Sequence, residues 1–108
     1  MVVTKILEKD IQLAICDYLK LKGWFFWRQN TNPIYDKKTK SFRRMPKYAK
    51  NGVPDIILVK RGEFIGLEVK LPKRKQSKVQ IEFQDELRQA GGKYYLITSI
   101  EDLQNIGL

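Results

Sequence analysis

The chain has 108 residues, with 21 Lys and Arg against 12 Asp and Glu, a net charge of +9 and 43% hydrophobic residues. That length fits one domain spanning 1–108, and the charge points to a polyanionic partner such as nucleic acid. There is no His and only one Cys, Cys16. These counts exclude His-based catalysis, an intrachain disulfide and the usual zinc sites.

The N-terminus lacks the apolar region and cleavage site of a signal peptide, and no apolar run approaches the ~20 residues of a membrane span. The expectation is a cytoplasmic protein with no membrane partner. Residues 5–22 are expected to form a helix. Leu7, Ile11, Ile15 and Leu19 recur every four residues, with Ala14 and Tyr18 completing the stripe. Thr4 suits the N-cap and Gly23 the C-terminal stop. Cys16 is expected as a small buried residue, and Glu8 falls on the edge of the apolar stripe. Residues 24–29, rich in aromatics, suggest a strand.

Residues 30–53 carry no clear period. They hold Lys37, Lys38, Lys40, Arg43, Arg44, Lys47 and Lys50, interleaved with Tyr35, Phe42 and Tyr48. That mixture favours phosphate contact over a merely solvated surface. A short hairpin is possible where Asp36–Thr39 separates Ile34-Tyr35 from Ser41-Phe42. Residues 54–60 and 64–71 read as strands joined by a tight turn at Arg61-Gly62. The first, apolar on both faces after Asp55, should be central. A basic connection at 72–78 adds Lys73, Arg74, Lys75 and Lys78. Residues 78–90 suggest a second helix with Val79, Phe83, Leu87 and Ala90 facing inward. Ser77 and Gln80 fit a capping box, and Gly91-Gly92 fits a stop. A strand at 93–98 and a short helix starting at 99 complete an α/β chain. The expected sheet is small and mixed, flanked by helices, with a right-handed parallel crossover through the second helix.

The strongest chemical signal is charge set into apolar strands. Pro54-Asp55 opens one, and Glu68-Val69-Lys70 interrupts the next. Strand alternation puts Glu68 and Lys70 on one face and Leu67, Val69 and Leu71 on the other. A buried carboxylate is costly unless paired or bound to a metal. Phosphodiester hydrolysis needs a nucleophile near neutral pH and neutralisation of charge on phosphorus, and a divalent metal supplies both. Asp55 and Glu68 would offer carboxylates and Val69 a backbone carbonyl to Mg²⁺ or Mn²⁺. Lys70 could orient the attacking water or stabilise the transition state. Glu8 could approach from the first helix, and Gln80 could cap its helix while reaching the same place. The simpler reading leaves Glu68 and Lys70 as an exposed ion pair worth ~0–1 kcal/mol, Glu8 solvated, and Gln80 a cap alone.

These residues resemble the PD-(D/E)xK nuclease superfamily, and within it the virus-type replication-repair nuclease family, VRR-NUC. The resemblance runs over nearly the whole chain. It is carried by Glu8 with Ile11-Gln12, Tyr18-Leu19 and Gly23; by Gly52 and Val53 before Pro54-Asp55; and by Gly66, Glu68 and Lys70. It continues through Ser77, Gln80, Phe83, Leu87 and Gly91. It implies a restriction-endonuclease-like core, metal binding by Asp55, Glu68 and the Val69 carbonyl, and Lys70 as catalytic lysine. Glu8 and Gln80 become accessory catalytic residues. Small stand-alone relatives, often from phages, look like homodimers that cut branched DNA such as four-way (Holliday) junctions. Such a setting implies a bacterial or phage-infected host cell. Where the family often has Gly after the lysine, this chain has Lys73-Arg74-Lys75. The alternatives are a non-catalytic basic nucleic-acid-binding module and, less well suited to so short a chain, a sequence-specific restriction enzyme.

Overall fold

A computed structural model describes residues 5–29 and 47–108, together with the strand residues 35–36 and 41–42. Two neighbouring i→i+4 rows of apolar residues build the first helix, α1 (Glu8–Leu21), and Gly23 ends it with a φ of 81°. The helix is shorter than the 5–22 span expected. Leu7 is its N-cap, and the Asp10 carboxylate reaches back to accept from the Leu7 N–H at 3.0 Å. The alternative cap, Thr4, lies outside the described residues. Ile15, Cys16 and Leu19 are buried, but Ala14 and Leu7 are exposed, so the buried stripe is narrower than expected.

The strands follow as β1 (Phe25–Arg28), β2 (Tyr35–Asp36), β3 (Ser41–Phe42), β4 (Ile56–Lys60), β5 (Glu63–Val69) and β6 (Lys93–Ile97). Helix α2 (Lys78–Gln89) connects β5 to β6, and α3 (Ile100–Asn105) follows β6. β2 and β3 pair antiparallel by themselves, at the hairpin expected around Asp36–Thr39. The other four make an open mixed sheet in the order β1-β4-β5-β6. β4 is central, antiparallel to both β1 and β5, and β5 runs parallel to β6 across α2. The β4–β5 turn uses Arg61 at φ 49° and Gly62 at φ 80°, the two left-handed residues of a type I′ turn that suits strand twist.

Alternation divides the sheet into two unlike faces. On one, Ile56, Leu58, Ile65, Leu67, Val69 and Ile97 join Ile15, Leu19, Leu103 and Leu108 in the main core. Tyr18 Oη and Trp24 Nε1 both donate to the Leu108 carbonyl, at 3.1 and 3.3 Å, and fasten α1 to the segment after α3. The opposite face carries Ile57, Gly66, Glu68 and Tyr94, under α2. Gly66 is there because a Cβ would collide with Pro54, 2.5 Å away at Cγ; Leu87 lies in ordinary contact, 3.6 Å from the same position. α2 buries no residue fully: Phe83 and Leu87 are half-buried, while Val79, 42% exposed, and Ala90 face solvent. The expected four-residue inward face is therefore reduced to two, because a single helix lies over a sheet face it does not fully span. The architecture is mixed α/β, with three helices and this four-stranded sheet among the described residues. None of these helices is long and apolar enough to cross a membrane.

Candidate active site

The candidate residues meet where β4 begins and β5 ends. Pro54 and Asp55 precede β4 rather than belonging to it, and Lys70 lies one residue past β5. The chain is nonetheless held there at both strands. Gln29 N–H donates to the Asp55 carbonyl at 2.7 Å, extending the β1 pairing, and Lys70 N–H donates to the Ile97 carbonyl at 3.0 Å. The Asp55 side chain bridges the two hairpin strands, its Oδ2 accepting from the Val69 N–H at 2.9 Å. That bond fixes the carboxylate at the strand end and satisfies an otherwise unpaired backbone donor.

Among the described residues Glu68 is the one charged residue that is buried, with 2% exposure. Its Oε1 accepts from Gln80 Nε2 at 2.8 Å, and its Oε2 is buried without a hydrogen-bond partner among the described residues. Gln80 is oriented by its own helix. Its Oε1 accepts from the Ser77 N–H at 2.8 Å, and Ser77 Oγ accepts from the Gln80 N–H at 3.3 Å. A backbone N–H can only donate, so this cap leaves the amide nitrogen for Glu68. Gln80 therefore combines both roles weighed for it.

Burial pushes the Glu68 carboxyl up to about 8, with the neighbouring Asp55 charge adding to the rise, as does a hydrogen bond to Asp55 that only the protonated Glu68 can make. Lys70 pulls in the opposite direction, and Glu8 adds a further small upward push. Glu8, Asp55, Lys70 and Gln80 thus all act on Glu68, which excludes the reading of Glu68 as a surface ion pair. Sequence reasoning missed Tyr94. It is buried on the same sheet face, its hydroxyl has no hydrogen-bond partner among the described residues, and burial followed by the Glu68 charge pushes it up to about 12. The only sequence signal was an aromatic inside the last strand, which normally marks core.

No protein-family model matches the chain, and no curated protein sequence matches it.

Among the described residues, no three His, Cys, Asp or Glu side chains gather into a group able to hold a metal. Glu8, Asp55 and Glu68 therefore do not form a three-carboxylate cage. Asp55 and Glu68 do fit Mg²⁺ or Mn²⁺ in its common mode, in which one or two carboxylates bind and water and phosphate complete the shell. The orphaned Glu68 Oε2 is the atom such an ion would satisfy.

The basic residues divide. Lys37, Lys38, Lys40, Arg43 and Arg44 lie outside the described residues. Lys50 forms an exposed ion pair with Glu86 at 3.2 Å, and Lys47 sits over the exposed Tyr48 ring at 5.1 Å. Lys73, Arg74, Lys75 and Lys78 are exposed on the connection that leaves Lys70 and enters α2.

Proposed function

We propose that this chain is a divalent-metal-dependent DNA endonuclease, of the VRR-NUC type its motifs resemble, acting on branched DNA as a homodimer. One observation carries the reading: a buried carboxylate, Glu68, held on one oxygen by Gln80, left open on the other, with Asp55 beside it. Leaving such a group unpaired is costly, of the order of 2–7 kcal/mol for even a neutral polar group, and a bound cation would relieve that cost.

Bound Mg²⁺ or Mn²⁺ supplies an activated nucleophile and neutralises charge developing on phosphorus. The chain's own residues do the rest. The Val69 N–H orients Asp55, and Gln80 orients Glu68. Lys70, whose charge acts on Glu68, provides a cation at the strand end where the phosphate would lie. Lys73, Arg74, Lys75 and Lys78 hold the DNA backbone, which favours selection by DNA shape over base sequence. One chain offers one site, so two symmetric cuts in a four-way junction call for a C2 dimer.

The test is cleavage of a four-way junction, flap, splayed arm and linear duplex with Mg²⁺, comparing wild type with Asp55→Ala and Lys70→Ala. Metal-dependent cutting lost in both variants supports the reading; metal-independent or unchanged cutting sinks it. Light scattering at working concentration checks the dimer.

A second reading is a non-catalytic nucleic-acid-binding module. It needs no metal-binding group, and among the described residues no three acidic side chains gather into one. Calorimetric titration with Mn²⁺ separates the two: this reading predicts no binding that Glu68→Ala abolishes.

A further inference from the structure

The face of the sheet that bears Glu68 is only partly covered. α2 lies against β6 and places Leu87 over Gly66, but β1, at the other edge, keeps two aromatic rings in solvent. Phe26 packs into the main core, so Phe25 and Trp27 point to the opposite face, where they are 69% and 40% exposed. The two rings meet edge to face, with centroids 6.0 Å apart. Trp27 is held in place, because its Nε1 donates to Gln29 Oε1 at 3.0 Å and the Gln29 N–H is bonded to the Asp55 carbonyl. Trp27 pairs with Ile57, so it stands one strand across and two residues along from Asp55. At ordinary sheet spacings that is roughly 5 Å across and 7 Å along.

We propose that Phe25 and Trp27 form a stacking platform for unpaired bases of a DNA strand whose neighbouring phosphate lies at Asp55 and Glu68. The inference rests on the reading of DNA as the partner, and it names the part of the substrate that the site selects: nucleotides out of the duplex. Aromatic rings stack any base, because every base has a π-face, and cations beside them hold the backbone. Here the cations belong to the phosphate end of the site: Lys70, two residues after Glu68, and the exposed Lys73, Arg74 and Lys75 that follow it along the chain. The chain's net charge of +9 favours a polyanion as the occupant of this face. A polyanion with flat apolar bases matches both the charge and the rings.

The experiment measures binding in EDTA, so that no cutting intervenes. The probes are a short labelled oligothymidylate, an abasic strand of the same length and a duplex of the same length. Proteins are wild type, Phe25→Ala, Trp27→Ala and Trp27→Phe. Wild type should prefer the oligothymidylate over the abasic strand by about 5–150-fold for each base stacked. Trp27→Ala should remove most of that preference and leave abasic-strand affinity unchanged, and Trp27→Phe should restore much of it. Equal affinity of wild type for the two single strands overturns the platform, as does an equal loss on both in Trp27→Ala. A self-association that Trp27→Ala abolishes also overturns it, by assigning the face to a second copy. Base-dependent binding without any metal-dependent cleavage leaves the platform standing and removes the nuclease. Cleavage without base-dependent binding does the reverse.

Discussion

Gln80 connects the start of α2 to Glu68: one amide accepts from the Ser77 N–H at 2.8 Å and donates to Glu68 Oε1 at 2.8 Å. The local helix cap and the long-range contact to β5 are the same side chain. Gln80→Ala removes both side-chain bonds, keeps the Ser77 Oγ bond to the backbone N–H of residue 80, and leaves a buried carboxylate unpaired. The expected loss is about 1–3 kcal/mol for the unpaired group, with a further ~0.5–1.5 for the lost bond to the Ser77 N–H. Gln80→Glu keeps the acceptor for Ser77 and loses the donor for Glu68, so it should retain the cap and still destabilise. Urea unfolding of the two variants measures the division.

Glu68 makes stability depend on pH. Its folded-state value is raised to about 8 from an ordinary 4.5 by burial first and by Asp55 second. Between those two values the folded chain holds a proton that the unfolded chain has released. The contribution is therefore complete below about pH 4.5 and is lost as pH rises through 8, with a slope of at most about 1.4 kcal/mol per pH unit. Glu68→Gln should flatten this part of the profile and be relatively more stable than wild type above pH 8. Thermal unfolding of both proteins from pH 4 to 9 in EDTA, buffers matched, tests the sign.

Protons and metal compete for the same oxygens. Affinity for Mn²⁺ should rise with pH up to about 8, on the order of tenfold per pH unit, with release of a proton on binding. Calorimetry in two buffers of different ionisation enthalpy reads the proton directly. No proton release in wild type would remove Glu68 from the site.

Asp55 has a structural task separable from its charge. Its Oδ2 accepts from the Val69 N–H at 2.9 Å. Asp55→Ala leaves that donor without its partner and should cost about 1–3 kcal/mol. Asp55→Asn can keep the acceptor, so it should stay close to wild type in stability while losing Mn²⁺ affinity. Equal destabilisation by both substitutions would show that the charge itself holds the strand end.

Two glycines keep the elements around the site in contact. Gly52 has a φ of 77°, and a Cβ there would overlap the Val79 carbonyl in the first turn of α2. Gly66 lets Pro54 close on β5. Gly52→Ala and Gly66→Ala should each destabilise by about 1–3 kcal/mol or more, through overpacking and, at Gly52, an unfavourable backbone. Gly62→Ala, strained in the same way but in open space, is the control that isolates the packing part.

Much of this was legible in the chain because the signals are local. The Ser77–Gln80 spacing specifies a cap, Arg61-Gly62 a tight hairpin turn, and the apolar residues after Asp55 a central strand. Alternation put Glu68 and Lys70 on one face before any contact was known. The expectations that changed concern how elements lie on one another. Val79 and Ala90 carry the helical period of Phe83 and Leu87 yet face solvent, since period defines a stripe and not the width of the sheet beneath it. Ala14 is left outside the buried stripe of α1 for the same reason.

By itself, the sequence determined the element types, the β4–β5 turn, the Ser77–Gln80 cap, and which residues share a strand face, because backbone sterics and alternation act over a few residues. Only the tertiary structure decided that Glu68 is buried, that Gln80 crosses to it, that Tyr94 lies on the same face, and that Phe25 and Trp27 remain exposed on β1. Those outcomes depend on strand order and on where α2 comes to rest. Both are set by contacts between residues far apart in the chain, which no local pattern encodes.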